Sequence, residues 1–100
     1  MNIDMIEIVE NEKKFVILPK REQVLIGNMH YKIKKEKIEE LIRIIRTWDK
    51  EYYDNSYLDG NMFSVSVYYD GKVDRMQGVR GLPKNYELFA KFVRDIYDRR

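Results

Sequence analysis

The alternating run over residues 63–69 and the helical pattern after it constrain the fold more than any other feature of the chain. The run reads Phe-Ser-Val-Ser-Val-Tyr-Tyr, which is the period-two pattern of a strand with one buried side. Asp70-Gly71 then supplies a turn, and a second short run covers residues 73–79. A hairpin that leads into an amphipathic helix can bury its own apolar side, so this stretch predicts the core of an α+β domain.

The turn at Asp70-Gly71 leaves the register of this hairpin open. A two-residue turn sets Asp74 opposite Val67. A three-residue loop with its glycine in the left-handed conformation pairs Val67 with Val73 instead. The sequence alone does not choose between the two registers.

The last helix has its apolar residues on one face, because they recur at intervals of three and four. They are Tyr86, Phe89, Phe92, Val93, Ile96 and Tyr97. We expect Phe92 to lie at the centre of the core. The helix begins either with Pro83 in its first turn or with Asn85 as its cap.

The first half of the chain predicts four strands before a first helix. Residues 1–9 read as a strand with an irregular register, and residues 15–18 form a continuous apolar run that predicts a buried strand. Gly27-Asn28 is the signal for a two-residue hairpin that pairs Ile26 with Met29.

The first helix is predicted from Lys34 to about Lys50. Its apolar positions are Ile38, Leu41, Ile42, Ile45 and Trp48. The predicted order is therefore β-β-β-β-α-β-β-α. This order indicates a single α+β domain over residues 1–100, with an antiparallel sheet and two helices on one of its faces.

The composition excludes several classes of protein. Charged residues make up 36% of the chain, but the net charge is only +2, so there is no strong electrostatic signal for nucleic acid or membrane. The chain has no cysteine, which excludes disulfides and thiolate metal sites. No basic leader with an apolar segment is present, and no apolar run approaches the roughly 20 residues of a membrane helix. We therefore expect a cytoplasmic protein.

The residues able to carry chemistry are few. His30 is the only histidine, and an enzymatic interpretation would pair it with a carboxylate or with Tyr31. Residues 54–61 are rich in oxygen ligands, but the twelfth position of a calcium loop counted from 54 is Val65 rather than glutamate. Residues 78–81 resemble a phosphate loop but lack its lysine and hydroxyl residues. The sequence therefore predicts no enzyme, no metal and no cofactor.

The candidate partner-binding residues lie between the first helix and the hairpin. They are Tyr52, Tyr53 and Tyr57, together with Asp54. Tyrosine supplies a large contact area at low entropic cost, which suits a protein interface. An equally simple interpretation is that some of these rings close the core beneath a loop. The first hypothesis is a non-enzymatic protein-binding module, with another protein or a second copy of the chain as its partner.

A basic cluster at the start of the first helix supports an alternative function. It consists of Lys32, Lys34, Lys35 and Lys37. Positive charge at a helix N-terminus opposes the helix dipole, which suggests another use, such as contact with the phosphates of a nucleic acid. The simpler interpretation is a solvated face.

Two motifs carry a resemblance to other proteins. They are Tyr68-Tyr69-Asp70-Gly71-Lys72 and Gly81-x-Pro83-x-Asn85-Tyr86-x-x-Phe89. This pattern resembles that of small uncharacterised α+β proteins of low-GC Gram-positive bacteria and their mobile elements. The resemblance is confined to the C-terminal part of the chain and brings no catalytic residues with it. A regulator, an immunity protein or a phage-encoded inhibitor would be a protein-binding module of the kind that the first hypothesis describes.

Overall fold

Six strands and two helices form the part of the chain that the structure describes. The computed structural model describes residues 2–46, 48, 63–78 and 85–98, without the side chains of residues 77 and 78. The elements are β1 (Ile3–Glu10), β2 (Lys13–Leu18), β3 (Gln23–Ile26), β4 (Met29–Lys32), α1 (Lys35–Arg46), β5 (Phe63–Tyr69), β6 (Lys72–Gly78) and α2 (Tyr86–Tyr97). A short 3-10 turn over Pro19–Arg21 links β2 to β3. The predicted order of elements and the α+β class are confirmed.

The strands form one antiparallel sheet in the order β4-β3-β2-β1-β5-β6. Consecutive strands with no helix between them pair as hairpins, which is the usual result of short connections. The pairing of β1 with β5 is different, because it joins the two halves of the sequence and opposes Ile8 with Val65. This long-range pairing places β1 inside the sheet rather than at its edge.

Two of the three two-residue hairpin turns, those at Gly27-Asn28 and Asp70-Gly71, have the backbone conformation that their residues favour. At Gly27-Asn28 the predicted pairing of Ile26 with Met29 is confirmed, and Gly27 has a φ of 59°. At Asp70-Gly71 both residues have positive φ, as a type I′ turn requires. The two-residue register is therefore the observed one, and it sets Asp74 opposite Val67.

The N-terminal strand contains the irregularity that its mixed pattern predicts. A shift in register occurs between Ile3 and Met5 where β1 pairs with β5. Because of this shift Ile3 is buried on the same side as Ile6 and Ile8, although its spacing to them is odd.

Both helices pack on one face of the sheet, as predicted. In β1, β2, β3 and β5 most of the residues that face the helices are buried, and the apolar ones among them form one cluster with the helices. The buried strand residues are Ile3, Ile6, Ile8, Phe15, Ile17, Val24, Ile26, Phe63, Val65 and Val67. In α1 the buried residues are Ile38, Leu41, Ile44 and Ile45, so Ile44 is more buried than Ile42. The helix ends at Arg46, earlier than the predicted Lys50, and Trp48 is still buried beyond its end.

The centre of the core is Phe89 rather than Phe92. Phe92 is buried as predicted, but it lines a surface cleft. Phe89 is fully buried, and its ring centroid lies 5.0 Å from that of Trp48 and 5.8 Å from that of Tyr86. The reason is that Trp48 and Phe63 both pack against Phe89, which lies about one turn closer to the N-terminus of α2 than Phe92 does.

Candidate functional site

The face of the sheet opposite the helices carries a group of half-exposed apolar side chains. We call it the open face, because both described helices lie on the other side. Its apolar members lie at positions that alternate with the buried ones. They are Met5, Val9, Val16, Leu18 and Leu25 on β1, β2 and β3, Tyr68 on β5 and the exposed Val73 on β6.

The strand register places these side chains next to each other. Val16 is directly opposite Leu25, and Leu25 is opposite His30 on the edge strand. On the other side Val16 is opposite Glu7. Directly opposed residues have their Cβ atoms about 4.5–5.5 Å apart, so Val16 and Leu25 lie side by side. The apolar strip reaches β1 through Met5 and Val9, which lie diagonally from Val16 on either side of Glu7.

Cationic side chains surround this strip. Lys14 lies on β2, Lys32 on the edge strand β4 and Arg75 on the other edge strand β6, and all three are exposed. The Nε atom of Arg75 donates a hydrogen bond to Ser66 Oγ at 3.1 Å, which holds the guanidinium beside the open face. Ser66 itself is buried, although it lies on this face.

The sequence contains a signal for the open face. The runs at residues 15–18 and 24–26 are apolar without alternation, and the first of them predicts a buried strand. In the structure only Phe15 and Ile17 of that run are buried, whereas Val16 and Leu18 are half-exposed. An unbroken apolar run therefore indicates two apolar faces, of which the helices cover one.

The four lysines of the predicted nucleic-acid site do not share one surface. Lys32 lies on the open face, since its partner Gln23 alternates with the buried Val24. Lys34 and Lys37 instead line a cleft of about 460 Å³ between the helices.

Acidic side chains line the same cleft. They are Asp95 and Asp98, and Phe92 and Ile96 complete the lining. Acidic groups so near Lys34 and Lys37 reduce the positive potential there. Lys37 also lies 3.6 Å from Glu40 within α1, and Lys35 is exposed on that helix.

The structure describes some of the other candidate residues from the sequence, and others lie outside the described ranges. His30 is exposed on β4, opposite Leu25. Of residues 78–81 the structure describes only the backbone of Gly78. The candidate partner-binding residues Tyr52, Tyr53, Asp54 and Tyr57 lie outside the described residues, as does Pro83. Asn85 occupies the cap position of α2, with no side-chain capping hydrogen bond.

A buried polar pair lies on the helix side of the sheet. The Tyr86 hydroxyl donates a hydrogen bond of 2.8 Å to Oε2 of Glu10. The side-chain amide of Asn11 donates to the same oxygen at 3.2 Å. Glu10 is only 6% exposed, so these two bonds replace the water that the carboxylate loses on folding. Sequence reasoning missed this pair, which joins positions 76 residues apart.

The pair predicts a loss of stability in alkali. Burial raises the pKa of Tyr86 far above its ordinary value, and the hydrogen bond to Glu10 and the charge of that carboxylate raise it further. The unfolded chain releases the Tyr86 proton near pH 10, whereas the folded chain retains it. The stabilisation is therefore complete below about pH 10, and the free energy of unfolding falls as the pH rises above that value.

Urea melts of the wild type and Tyr86→Phe between pH 8 and pH 11.5 measure this effect. We expect the wild-type curve to fall more steeply above pH 10, by up to about 1.4 kcal/mol per pH unit for one proton. The hydrogen bond to Asp74 also raises the pKa of Tyr69, but both proteins share that contribution. Parallel curves for the two proteins would show that Tyr86 titrates alike in the folded and unfolded chains.

Comparisons with known proteins give no family for this chain. No protein-family model matches it, and neither does any curated protein. Neither of the described helices is long and apolar enough to cross a membrane. Within residues 2–46, 48, 63–78 and 85–98, no three side chains of histidine, aspartate or glutamate converge to hold a metal ion.

Proposed function

We propose that this chain is a non-enzymatic protein-binding module and that the open face is its binding surface. The observation that carries the proposal is the apolar strip formed by Val16, Leu25 and their neighbours. A folded domain normally covers such side chains, and a contiguous exposed apolar patch marks an interaction surface. The corresponding role is that of a regulator, an immunity protein or an inhibitor encoded by a phage or mobile element.

The dimensions of the sheet suit such a role. Six strands spaced about 4.8 Å apart give a face roughly 24 Å wide. Strands of about 20 Å then give a projected area on the order of 500 Å². A partner that also covered the margins would approach the roughly 800 Å² that each side of a standard interface buries.

The tyrosine-rich segment is the second candidate surface, proposed from the sequence. Trp48 and Phe63 flank it, and their ring centroids are 5.1 Å apart in an edge-to-face contact. The described residues on its two sides therefore meet in the core. A separate Tyr52/Tyr53/Tyr57→Ala variant tests whether these three tyrosines bind a partner.

Nucleic-acid binding is the alternative function. One observation favours it: Lys32 shares the open face with Lys14 and Arg75. Phosphate binding, however, needs only the cations and makes no use of the aliphatic strip. Protein binding uses both, so we place it first.

Affinity capture with matched variants tests the proposal. The protein is immobilised, exposed to an extract of the cells that encode it, and compared with Leu25→Glu. Leu88→Glu is the matched control, because it makes the same change at an exposed leucine of α2. A Tyr52/Tyr53/Tyr57→Ala variant tests the other surface, and thermal melts establish that each variant is folded.

We expect the wild type and Leu88→Glu to retain the same protein. With that protein purified, Leu25→Glu should weaken its binding at least about tenfold, since a carboxylate would then be buried against the apolar strip. Loss of binding in the tyrosine variant alone would transfer the site to that segment. Retention of nucleic acid in place of protein would favour the alternative function and contradict the proposal.

A further inference from the structure

We infer that the partner of the open face presents an apolar centre surrounded by acidic residues. This inference rests on the proposed function and adds the chemistry of the partner. Among the described strand residues in regular register, this face carries three cations, Lys14, Lys32 and Arg75. It carries one acidic residue, Glu7. A surface that matches this pattern carries negative charge at its rim.

The excess of positive charge belongs to this face more than to the helices. In α1, four basic residues accompany three acidic ones. In α2, two basic residues accompany two acidic ones. On the sheet, Asp4 at the irregular end of β1 is already neutralised by an ion pair of 2.6 Å with Lys20. The helices therefore carry nearly balanced charge, and the sheet side provides the stronger attraction for an acidic partner.

Arg75 is already positioned to bind a carboxylate. Its Nε atom is engaged by Ser66 at 3.1 Å, which orients the guanidinium. Among the residues that the structure describes, none bonds to its two terminal amino groups. Arginine binds carboxylates through paired hydrogen bonds, and an arginine that is already oriented loses less entropy on doing so.

The same charges argue against a second copy of this chain as the occupant. Two open faces placed together would bring Lys14, Lys32 and Arg75 of both copies into one interface, with Glu7 of each copy to oppose them. Like charges facing each other at an interface are strongly unfavourable. The occupant is therefore a different protein with acidic groups.

Selection from a random peptide library displayed on phage tests the inference while the partner is still unidentified. The immobilised full-length protein selects peptides, which are sequenced and then synthesised for affinity measurement. Each selected peptide is measured against Lys14→Glu/Lys32→Glu and against Leu25→Glu. The matched control is Lys35→Glu/Lys91→Glu, which makes the same charge change at exposed positions of the two helices.

We expect peptides that combine aspartate or glutamate with aliphatic or aromatic residues. The Lys14→Glu/Lys32→Glu variant should bind them about tenfold or more weakly, and the helix control should bind them as the wild type does. Raising the salt concentration from about 50 to about 500 mM should weaken wild-type binding several-fold.

Different outcomes would contradict the acidic chemistry of the partner and the open face as the binding surface. If the selected peptides are neutral or basic and no longer bind Leu25→Glu, the inference of an acidic partner is wrong. The open face is then still supported as a protein-binding surface. Peptides that bind Leu25→Glu as well as the wild type, or no selection at all, overturn the open face itself. Self-association of the wild type that Lys14→Glu/Lys32→Glu leaves unchanged would also overturn the inference.

Discussion

Replacing Phe89 by alanine is expected to lower the free energy of unfolding by about 3–5 kcal/mol, the usual cost of truncating a buried phenylalanine. Phe89 is fully buried and lies at the centre of an aromatic cluster with Trp48, Phe63 and Tyr86. Alanine removes the ring from these aromatic contacts and leaves a cavity that its rigid neighbours cannot easily fill. The loss is a third or more of the stability of many domains of this size.

Urea melts of two further variants show whether this packing is the cause. Phe92→Ala should also be costly, but less so than Phe89→Ala, because Phe92 lies beside the cleft between the helices. Lys91→Ala, at an exposed position of the same helix, should change the stability by less than about 0.5 kcal/mol. Equal losses in the Phe89 and Lys91 variants would mean that the buried face of α2 is assigned wrongly.

The second large effect is expected at the buried polar pair. Tyr86→Phe removes the hydroxyl that donates to Glu10 and leaves the more distant amide of Asn11, at 3.2 Å, to donate to this carboxylate. A buried charged group that loses a hydrogen bond costs about 1–3 kcal/mol or more. We therefore expect Tyr86→Phe to be about 2 kcal/mol less stable than the wild type near pH 7.

A double variant separates this desolvation from simple loss of packing. Glu10→Leu/Tyr86→Phe replaces both polar partners with apolar groups, so no carboxylate remains buried without its donor. Such a replacement is often nearly neutral, and the double variant should be more stable than Tyr86→Phe alone. The Glu10→Leu single variant completes the comparison. If the loss of stability in the double variant equals the sum of the losses in Glu10→Leu and Tyr86→Phe, the two side chains are not coupled and the explanation is wrong.

Local patterns were sufficient for the elements themselves. The spacing of Phe89, Phe92, Val93 and Ile96 placed them on one face of a helix, because that spacing depends only on the helical period. Gly27-Asn28 was sufficient for its hairpin register, because a two-residue turn determines which residues are opposed. At Asp70-Gly71 the same reasoning left two registers. The observed one brings Asp74 within 2.9 Å of the Tyr69 hydroxyl, a contact that a local pattern does not show.

The candidate site depended more strongly on long-range structure. The apolar run at residues 15–18 showed that β2 has two apolar sides, but not which side the helices cover. The lysines at 32, 34 and 37 are close in sequence, yet they divide between the open face and the cleft. This division arises because successive side chains of a strand point to opposite faces of the sheet, which places Lys32 on the open face. After β4 the chain enters the helix layer, where Lys34 and Lys37 lie.

The sequence by itself determined the order of strands and helices, the buried face of α2 and the hairpin at Gly27-Asn28, since each follows from residues that are near in the chain. The tertiary structure alone decided the pairing of β1 with β5, the bond between Glu10 and Tyr86, and the exposure of the strip around Val16 and Leu25. These features depend on contacts between distant residues. Periodicity limits which side chains share a face, but only the packing of the whole chain decides which face is covered.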